Sequence, residues 1–408
     1  MEKRLAVLGG YTNGWQEIDD TLPEDDDAQR TLQETALASL REELSLITNS
    51  ETLIVLAGSG ASLGITDDLG VPCAPSMADL WNEVEKLPSF ATVSGDLAPA
   101  PIAAKNLEHV LSDAQARAML DPSDTNLATF ITEAEDIVWS KCSFIDDHSE
   151  LGSHELFLRK VARRSTRLQR AQIFTTNYDL AFESAARRTR FNVIDGFGFG
   201  GRDFDGGSFD LDYVRRLPNE PLALDPSVFH LLKLHGSVDW TAVEGGVQKV
   251  FGGAKPPEPV LIYPSATKYQ LSYRQPYLEF MSRFQIALRQ PDVGLIVVGF
   301  GFNDDHLSAP IEAALRSNIG LRAVFVSFGA RDPKRAKSMD WIEQLITKGD
   351  RRLTILETTF DEFVRVMPEA PAREERDAHV DRVSPGVRGL DEGSSVQPRA
   401  SYRPHLSG

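Results

Sequence analysis

At 408 residues, 41% of them hydrophobic and 25% charged, the chain has room for one large domain with a smaller companion, or for two domains of ordinary size, and the composition of a globular protein. A formal net charge of −17 argues against broad nucleic-acid binding, and two cysteines, Cys73 and Cys142, are too few for a four-thiolate zinc site or a disulfide framework and fit a reducing cytoplasm. No apolar run approaches the length of a membrane span, and the apolar stretch after Met1 is too short for a secretion signal.

Residues 1–26 combine a short apolar start with an acidic run, Glu24-Asp-Asp-Asp27, and are expected to form a loop or a helical lead-in. Over 28–47, leucine and alanine recur at helical spacing, which predicts an amphipathic helix packed on a sheet. The first strand is expected at 53–57, apolar enough to be buried on both faces. It runs into Gly58-Ser59-Gly60-Ala61-Ser62, where the glycines permit a tight turn and the close approach of a ligand. A helix opened by Ser62 would aim unpaired N–H groups and a positive dipole end at a phosphate there. A strand ending in Gly-Ser-Gly also serves as an ordinary turn, so the stretch is weak on its own.

The glycine- and proline-rich 63–75 predicts a long connection beside that turn, placed like a lid. Ser76 or Pro75 caps a helix beginning at 76–81, and 101–168 carries several helical patterns, among them 126–139 and 154–168, which read as a helical insertion. Lys160, Arg163, Arg164, Arg167 and Arg170 recur at near-helical spacing, as a solvated face or a local basic patch. A second strand at 171–176 leads into Asn177-Tyr178-Asp179 and a helix over 180–188. A third, 231–235, ends in His235-Gly236-Ser237, after a glycine- and aromatic-rich loop at 196–207. Strands at 259–263, 295–299, 323–328 and 353–356 alternate with helices at 273–289, 304–316 and 333–346. This alternation predicts an α/β fold, a Rossmann-like parallel sheet with helices on both faces and a helical insertion. From 368 the periodicity ends, and a disordered tail is expected.

Ligands of such sheets bind outside the carboxyl ends of the strands, where the strand order reverses. Four predicted strands end in polar or glycine residues on that rim: Gly58-Ser59-Gly60, Thr176-Asn177-Tyr178-Asp179, His235-Gly236 and Gly299-Phe300-Gly301. Singly, Asn177 and Asp179 serve equally as helix caps, His235 as a core histidine and the glycines as turns. Together they mark one rim.

These endings resemble the sirtuin family, and more closely the bacterial sirtuin-like NAD hydrolases of anti-phage defence. Gly58-Ser59-Gly60-Ala61-Ser62 is similar to the family's Gly-Ala-Gly-x-Ser phosphate loop, and Thr176-Asn177-Tyr178-Asp179 stands in the place of its Gln-Asn or Asn-Tyr-Asp motif. Leu234-His235-Gly236 stands in the place of the catalytic His-Gly, and Val298-Gly299-Phe300-Gly301 in that of the late glycine motif on the adenosine side. Order and approximate spacing agree over 53–330. Two departures count against protein deacylation. Sirtuin deacylases build part of their acyl-lysine groove on a four-cysteine zinc module, which two cysteines cannot form, and Leu63-Gly-Ile-Thr-Asp67 stands where the family has Ile-Pro-x-Phe-Arg.

The resemblance implies a sirtuin-like NAD-binding domain over 51–367 with its insertion at about 88–168, a helical lead-in at 1–50 and a tail at 368–408. It implies NAD as substrate with no metal, cleaved to nicotinamide and ADP-ribose by an NAD+ glycohydrolase. His235 and Asn177 are then the catalytic pair, a general base and a group that orients water or ribose. Gly58, Ser59, Gly60, Ala61, Ser62, Asp179, Gly299, Phe300 and Gly301 are the cofactor-binding residues. A non-catalytic NAD or ADP-ribose sensor and a zinc-free NAD-dependent deacylase are the alternatives. The resemblance also implies a gated cytoplasmic effector that forms a homo-oligomer and answers to a separate partner such as a HerA-type ATPase or an Argonaute-like protein. Neither direct nucleic-acid binding nor membrane attachment is expected.

Overall fold

The computed structural model describes residues 5–18, 27–198, 202–216, 218, 221–261 and 275–368. Two short strands, Leu5–Gly9 (β1) and Gln16–Ile18 (β2), precede the helix Asp27–Thr48 (α1) and the strand Thr52–Ala57 (β3). Six helices follow: Met77–Val84 (α2), Pro88–Val93 (α3), Pro99–Ala103 (α4), Leu107–Leu120 (α5), Thr125–Cys142 (α6) and Gly152–Val161 (α7). Then come Gln172–Thr175 (β4), Ala181–Thr189 (α8), Asn192–Ile194 (β5), the small pair Val214–Arg215 (β6) and Ala223–Leu224 (β7), Val228–Lys233 (β8), Gly236–Val243 (β9), Gly246–Lys249 (β10) and Pro259–Leu261 (β11). The last part alternates: Tyr277–Ala287 (α9), Val293–Val298 (β12), Asp305–Ser317 (α10), Leu321–Val326 (β13), Lys337–Thr347 (α11), Leu353–Glu357 (β14) and Phe360–Val366 (α12).

Strands such as Leu-Ile-Val-Leu-Ala have no polar face to give to water, so they lie inside a sheet covered by helices on both sides. The main sheet has the order β2-β1-β14-β13-β12-β3-β4-β8-β5. From β14 to β5 all neighbours are parallel, and β1 and β2 add an antiparallel edge. Starting at β3 the chain first builds outward through β4, β5 and β8, then returns to lay β12, β13 and β14 on the other side. The order therefore reverses between β3 and β12, the crevice where open α/β sheets take their ligands. The register sets Ala57 opposite both Val298 and Thr175, and Thr175 opposite Lys233, so four strands end level on one rim. Helix α1 packs over β12 and β13, and α11 over β14 and β1.

Helices α2, α3, α5 and α6 enclose a second core around Trp81, Phe90, Leu111, Phe130 and Val138. Trp81 meets Phe90 edge-on at 5.7 Å, and Phe90 lies 5.6 Å from Phe130. Val238 of β9 belongs to the same cluster, and Trp139 Nε1 donates to the Val238 carbonyl at 2.8 Å, so this helical unit is fastened to the strand that follows His235. Residues Met1–Ala370 form one compact unit, and the tail expected at 368–408 lies, beyond Pro368, outside the described residues.

Several expectations are corrected. No α-helix opens at Ser62: β3 leads into a single 3-10 turn, Ser59–Ala61, and the next helix begins at Met77. The strand expected at 231–235 runs from Val228 to Lys233, leaving His235 at a corner before β9. The strand expected at 259–263 is not part of the main sheet. Pro259–Leu261 pairs antiparallel with β9 in a three-stranded sheet, and residues 262–274 lie outside the described residues. The basic row is neither a helix face nor a patch. Helix α7 stops at Val161, the Lys160 ammonium is buried against the carbonyls of Val364 (3.0 Å) and Met367 (2.9 Å), Arg164 donates to the carbonyl of Ser50, and Arg170 pairs with Asp212 at 2.8 Å. Carbonyls at the ends of α1 and α12 are the partners that the buried Lys160 and Arg164 need, and a carboxylate serves the half-buried Arg170. The short strands β1, β2 and β5 carried too few residues for a period to show.

Two predictions follow from this packing. Because the helical unit and the sheet belong to one compact unit, Phe130→Ala and Phe174→Ala should each lower the midpoint of the same urea transition, at a cost of about 3–5 kcal/mol. Two separable transitions would show independent domains. The second concerns His154, which is buried between Phe182 and Phe360, and whose Nε2 has no hydrogen-bond partner among the described residues. Burial lowers its pKa to about 4, against the opposing pull of Asp179 and Asp361. The unfolded chain takes up this proton below about 6.5 while the fold excludes it, so stability falls as pH drops from 6.5 to 4, by about 1.4 kcal/mol per pH unit. His154→Leu should flatten that part of a stability-against-pH curve by one proton.

Candidate active site

The turn after β3 and the turn after β12 meet backbone to backbone. Gly58 N donates to the Val298 carbonyl at 2.9 Å, and Gly60 N to the Gly299 carbonyl at 3.0 Å. A Cβ on Gly58 would lie 2.6 Å from Gly299 O, and one on Gly60 would lie 2.6 Å from Gly299 Cα. Gly299 itself has φ +63°, the left-handed region that glycine adopts without cost. The glycines expected to receive a ligand thus receive one another: Gly58 and Gly299 still line the cleft beside them, whereas Gly60 faces a second cavity and Ala61 is buried.

The cleft encloses about 190 Å³ and opens to solvent at its mouth. It brings together Gly58, Ser59, Ser62, Asn177, Asp179, His235, Gly299, Phe300 and Gly301, nine of the eleven residues expected from the sequence. Three of them form one buried network. Asn177 Nδ2 donates to Ser62 Oγ at 2.9 Å, Ser62 Oγ donates to Asp179 Oδ2 at 2.8 Å, and Asp179 Oδ1 accepts from Ala181 N at 2.9 Å at the start of α8. Asp179 is therefore a turn-forming residue of α8 and a partner of Ser62 at once. Thr175 Oγ1 accepts from Asn177 N at 3.1 Å and donates to the Ala57 carbonyl at 3.0 Å, which fixes this turn to the end of β3.

Two residues that sequence reasoning missed hold the rest. Lys233, at 3% exposure, donates to the carbonyls of Tyr178 (3.2 Å) and Asp179 and to Glu183 Oε1 (3.1 Å), so one ammonium braces the Asn177–Asp179 turn from behind. Burial raises the Glu183 pKa, and Lys233 draws it back. The signal was a lysine inside an apolar strand, since a buried cation requires partners. Asp304 is the second. It lines the cleft, and its Oδ2 lies 2.9 Å from His235 Nε2. Read from sequence alone, Asp304 was only the start of a helix, because its partner lies 69 residues away. Gly236, at φ +92°, makes the corner that turns His235 toward this partner.

The helical unit and the connection after Ser62 supply the opposite wall through Ala74, Pro75, Met77, Leu80, Glu108, Cys142 and Phe144. That connection is self-braced: Asp67 Oδ1 accepts from Leu69 N (2.9 Å) and Val71 N (2.8 Å), and Cys73 N donates to Ile65 O at 3.0 Å. Of the two caps expected for α2, Ser76 is the one used, and it forms a reciprocal capping box with Asp79. The Cys142 thiol is pushed up to about 12 by burial and the nearby Asp179, so it stays protonated and is no nucleophile. Among the described residues no group of His, Cys, Asp and Glu is arranged to hold a metal ion.

A doubly wound α/β sheet with a polar cleft at its strand-order reversal defines the class. Residues 171–346, from β4 into α11, match the family model of the SIR2-like domain, and over this span the chain is sirtuin-like. Among solved structures, a Sir2 homologue mutant in complex with ADP ribose is 15% identical with a TM-score of 0.37, covering 80% of this chain and 95% of that one. Sir2 with a p53 peptide and NAD+ is 12% identical with a TM-score of 0.36 at the same coverage. No curated protein matches the chain.

Because Gly60 packs on Gly299, Gly60→Val should act on folding before it acts on any ligand. We expect a loss of about 1–3 kcal/mol or more, seen as a lowered thermal midpoint without added ligand. An unchanged midpoint would mean that the two turns can part freely.

Proposed function

We propose that this chain is an NAD+ glycohydrolase that cleaves NAD to nicotinamide and ADP-ribose. The observation that carries this reading is the convergence of Asn177, held through Ser62 and Asp179, and His235, held by Asp304, on one cleft at the reversal of strand order. The cleft suits the nicotinamide riboside, with His235 as the general base and Asn177 orienting the ribose or the attacking water. Ser59 lies beside it and suits the pyrophosphate, whereas the Gly58 and Ser62 amides are held by the carbonyls of Val298 and Ser59, the Ser62 hydroxyl is held by Asp179, and no helix dipole assists. A second cavity, lined by Gly60, Gly299, Ser327, Thr358 and Thr359, suits the adenosine. Thr358 Oγ1 is buried there without a hydrogen-bond partner among the described residues, which fits a hydroxyl that a ligand would engage.

In this mechanism water attacks C1′ of the ribose, its proton passes to His235, and the electron pair of the glycosidic bond leaves with nicotinamide, which departs neutral. The transition state has oxocarbenium character, so groups that fix the ribose and the water supply most of the acceleration. With only two cysteines the chain cannot build a four-cysteine zinc module, which disfavours deacylation. We place the enzyme in the cytoplasm as a gated, homo-oligomeric effector of anti-phage defence, controlled by a separate partner such as a HerA-type ATPase or an Argonaute-like protein. The wall formed by 63–75 and the helical unit is the segment such a partner would move.

Chromatography of the purified chain incubated with NAD should show nicotinamide and ADP-ribose in equal amounts. His235→Ala should lower turnover by about 10²–10⁴-fold with the fold intact, and Asn177→Ala should lose turnover while keeping NAD binding. Binding of NAD by the wild type with no turnover in any assembly state would make the chain a sensor instead.

A further inference from the structure

The side chains of His235 and Asp304 are each 6% exposed, and they meet at Nε2 and Oδ2, 2.9 Å apart. The other carboxylate oxygen, Oδ1, accepts from His306 N at 3.0 Å, where Asp304 caps α10. The carboxylate is thus held at both ends, by a helix N-terminus and by an imidazole. A carboxylate oxygen accepts and does not donate, so the ring hydrogen of the shared contact sits on Nε2. In a neutral imidazole the other nitrogen, Nδ1, is then the one with the lone pair.

We propose that Asp304 is a positioning residue that sets the tautomer of His235 and makes Nδ1 the nitrogen that accepts the proton in the reaction. The choice of reaction rests on the NAD-cleavage reading above, whereas the tautomer does not. As the water oxygen bonds to ribose C1′, its proton moves to Nδ1. The imidazolium that forms keeps its Nε2–H on the Asp304 carboxylate, which stabilises the new positive charge, and Nδ1 later returns the proton to solvent. Asp304 touches neither water nor ribose and acts only through His235.

Asp304→Asn separates this role from the helix cap. Asparagine caps helices as well as aspartate, and its Oδ1 can still accept from His306 N. Its amide nitrogen, however, stands where Oδ2 was and donates, which requires Nε2 to accept and drives the ring hydrogen onto Nδ1. Imidazole ¹⁵N shifts in alkaline buffer, assigned to His235 by the signal lost in His235→Gln, report the tautomer without any turnover. We expect Nε2–H in the wild type and Nδ1–H in Asp304→Asn. Nicotinamide release should fall about 10²–10⁴-fold in kcat with KM and the thermal midpoint nearly unchanged. A wild-type ring carrying its hydrogen on Nδ1, or an Asp304→Asn enzyme as fast as the wild type, overturns the proposal. If the wild type releases no nicotinamide, the NAD reading fails by itself and the ¹⁵N shifts still decide the tautomer. Should Asp304→Asn fail to fold, Asp304→Ser keeps a capping hydroxyl and removes the partner. A mixture of tautomers there supports the assignment, and a pure Nε2–H ring overturns it.

Discussion

The rim of the cleft depends on a contact between two turns, those that follow β3 and β12. At the reversal of strand order, the exits of β3 and β12 lie so near that Gly58 and Gly60 have only Gly299 and its neighbours where a side chain would be. Two hydrogen bonds join them. Any residue with a Cβ would push the exits apart and with them the rim on which the cleft is built, because interiors packed to this density do not absorb an added methyl group. The cleft on one side and the second cavity on the other share this seam as a common wall.

Around the seam the polar groups are few, buried and paired. Ser62, Asn177, Asp179, His235 and Asp304 are all less than 9% exposed. Burying such groups without partners would cost several kcal/mol, so the pairing is a condition of folding as much as of function. Each link is doubly used. Asp179 starts a helix and receives Ser62; Asp304 caps a helix and receives His235; Lys233 neutralises Glu183 and gathers two carbonyls. The side chains facing the cleft sit in turns that are hydrogen-bonded to one another and to the starts of helices, and their orientation is set before any ligand arrives.

The helical unit closes the opposite side with mostly apolar residues, and Trp139 ties it to β9, two residues after His235–Gly236. A shift of this unit would therefore be felt at the corner that carries His235. Its core is separate from that of the sheet, so such a shift need not disturb the main packing.

What the sequence determined by itself was what local pattern and chemistry can carry. The buried strand before Gly58, the helix start at Ser76, the alternation of strands and helices after Asp292 and the four polar endings were all legible, because each depends on residues within a few positions of one another. Only the tertiary structure decided how those pieces are used. Three-residue edge strands show no period, a row of basic residues looks solvated until its carbonyl partners arrive from Ser50 and Val364, and Gly60 looks open to a ligand until Gly299 occupies the space. Asp304 and Lys233 gained their roles in the same way, from partners 69 and about 50 residues distant. The physical reason is common to all of them: a buried polar atom or a missing Cβ states that something must be adjacent, and the fold alone supplies what it is.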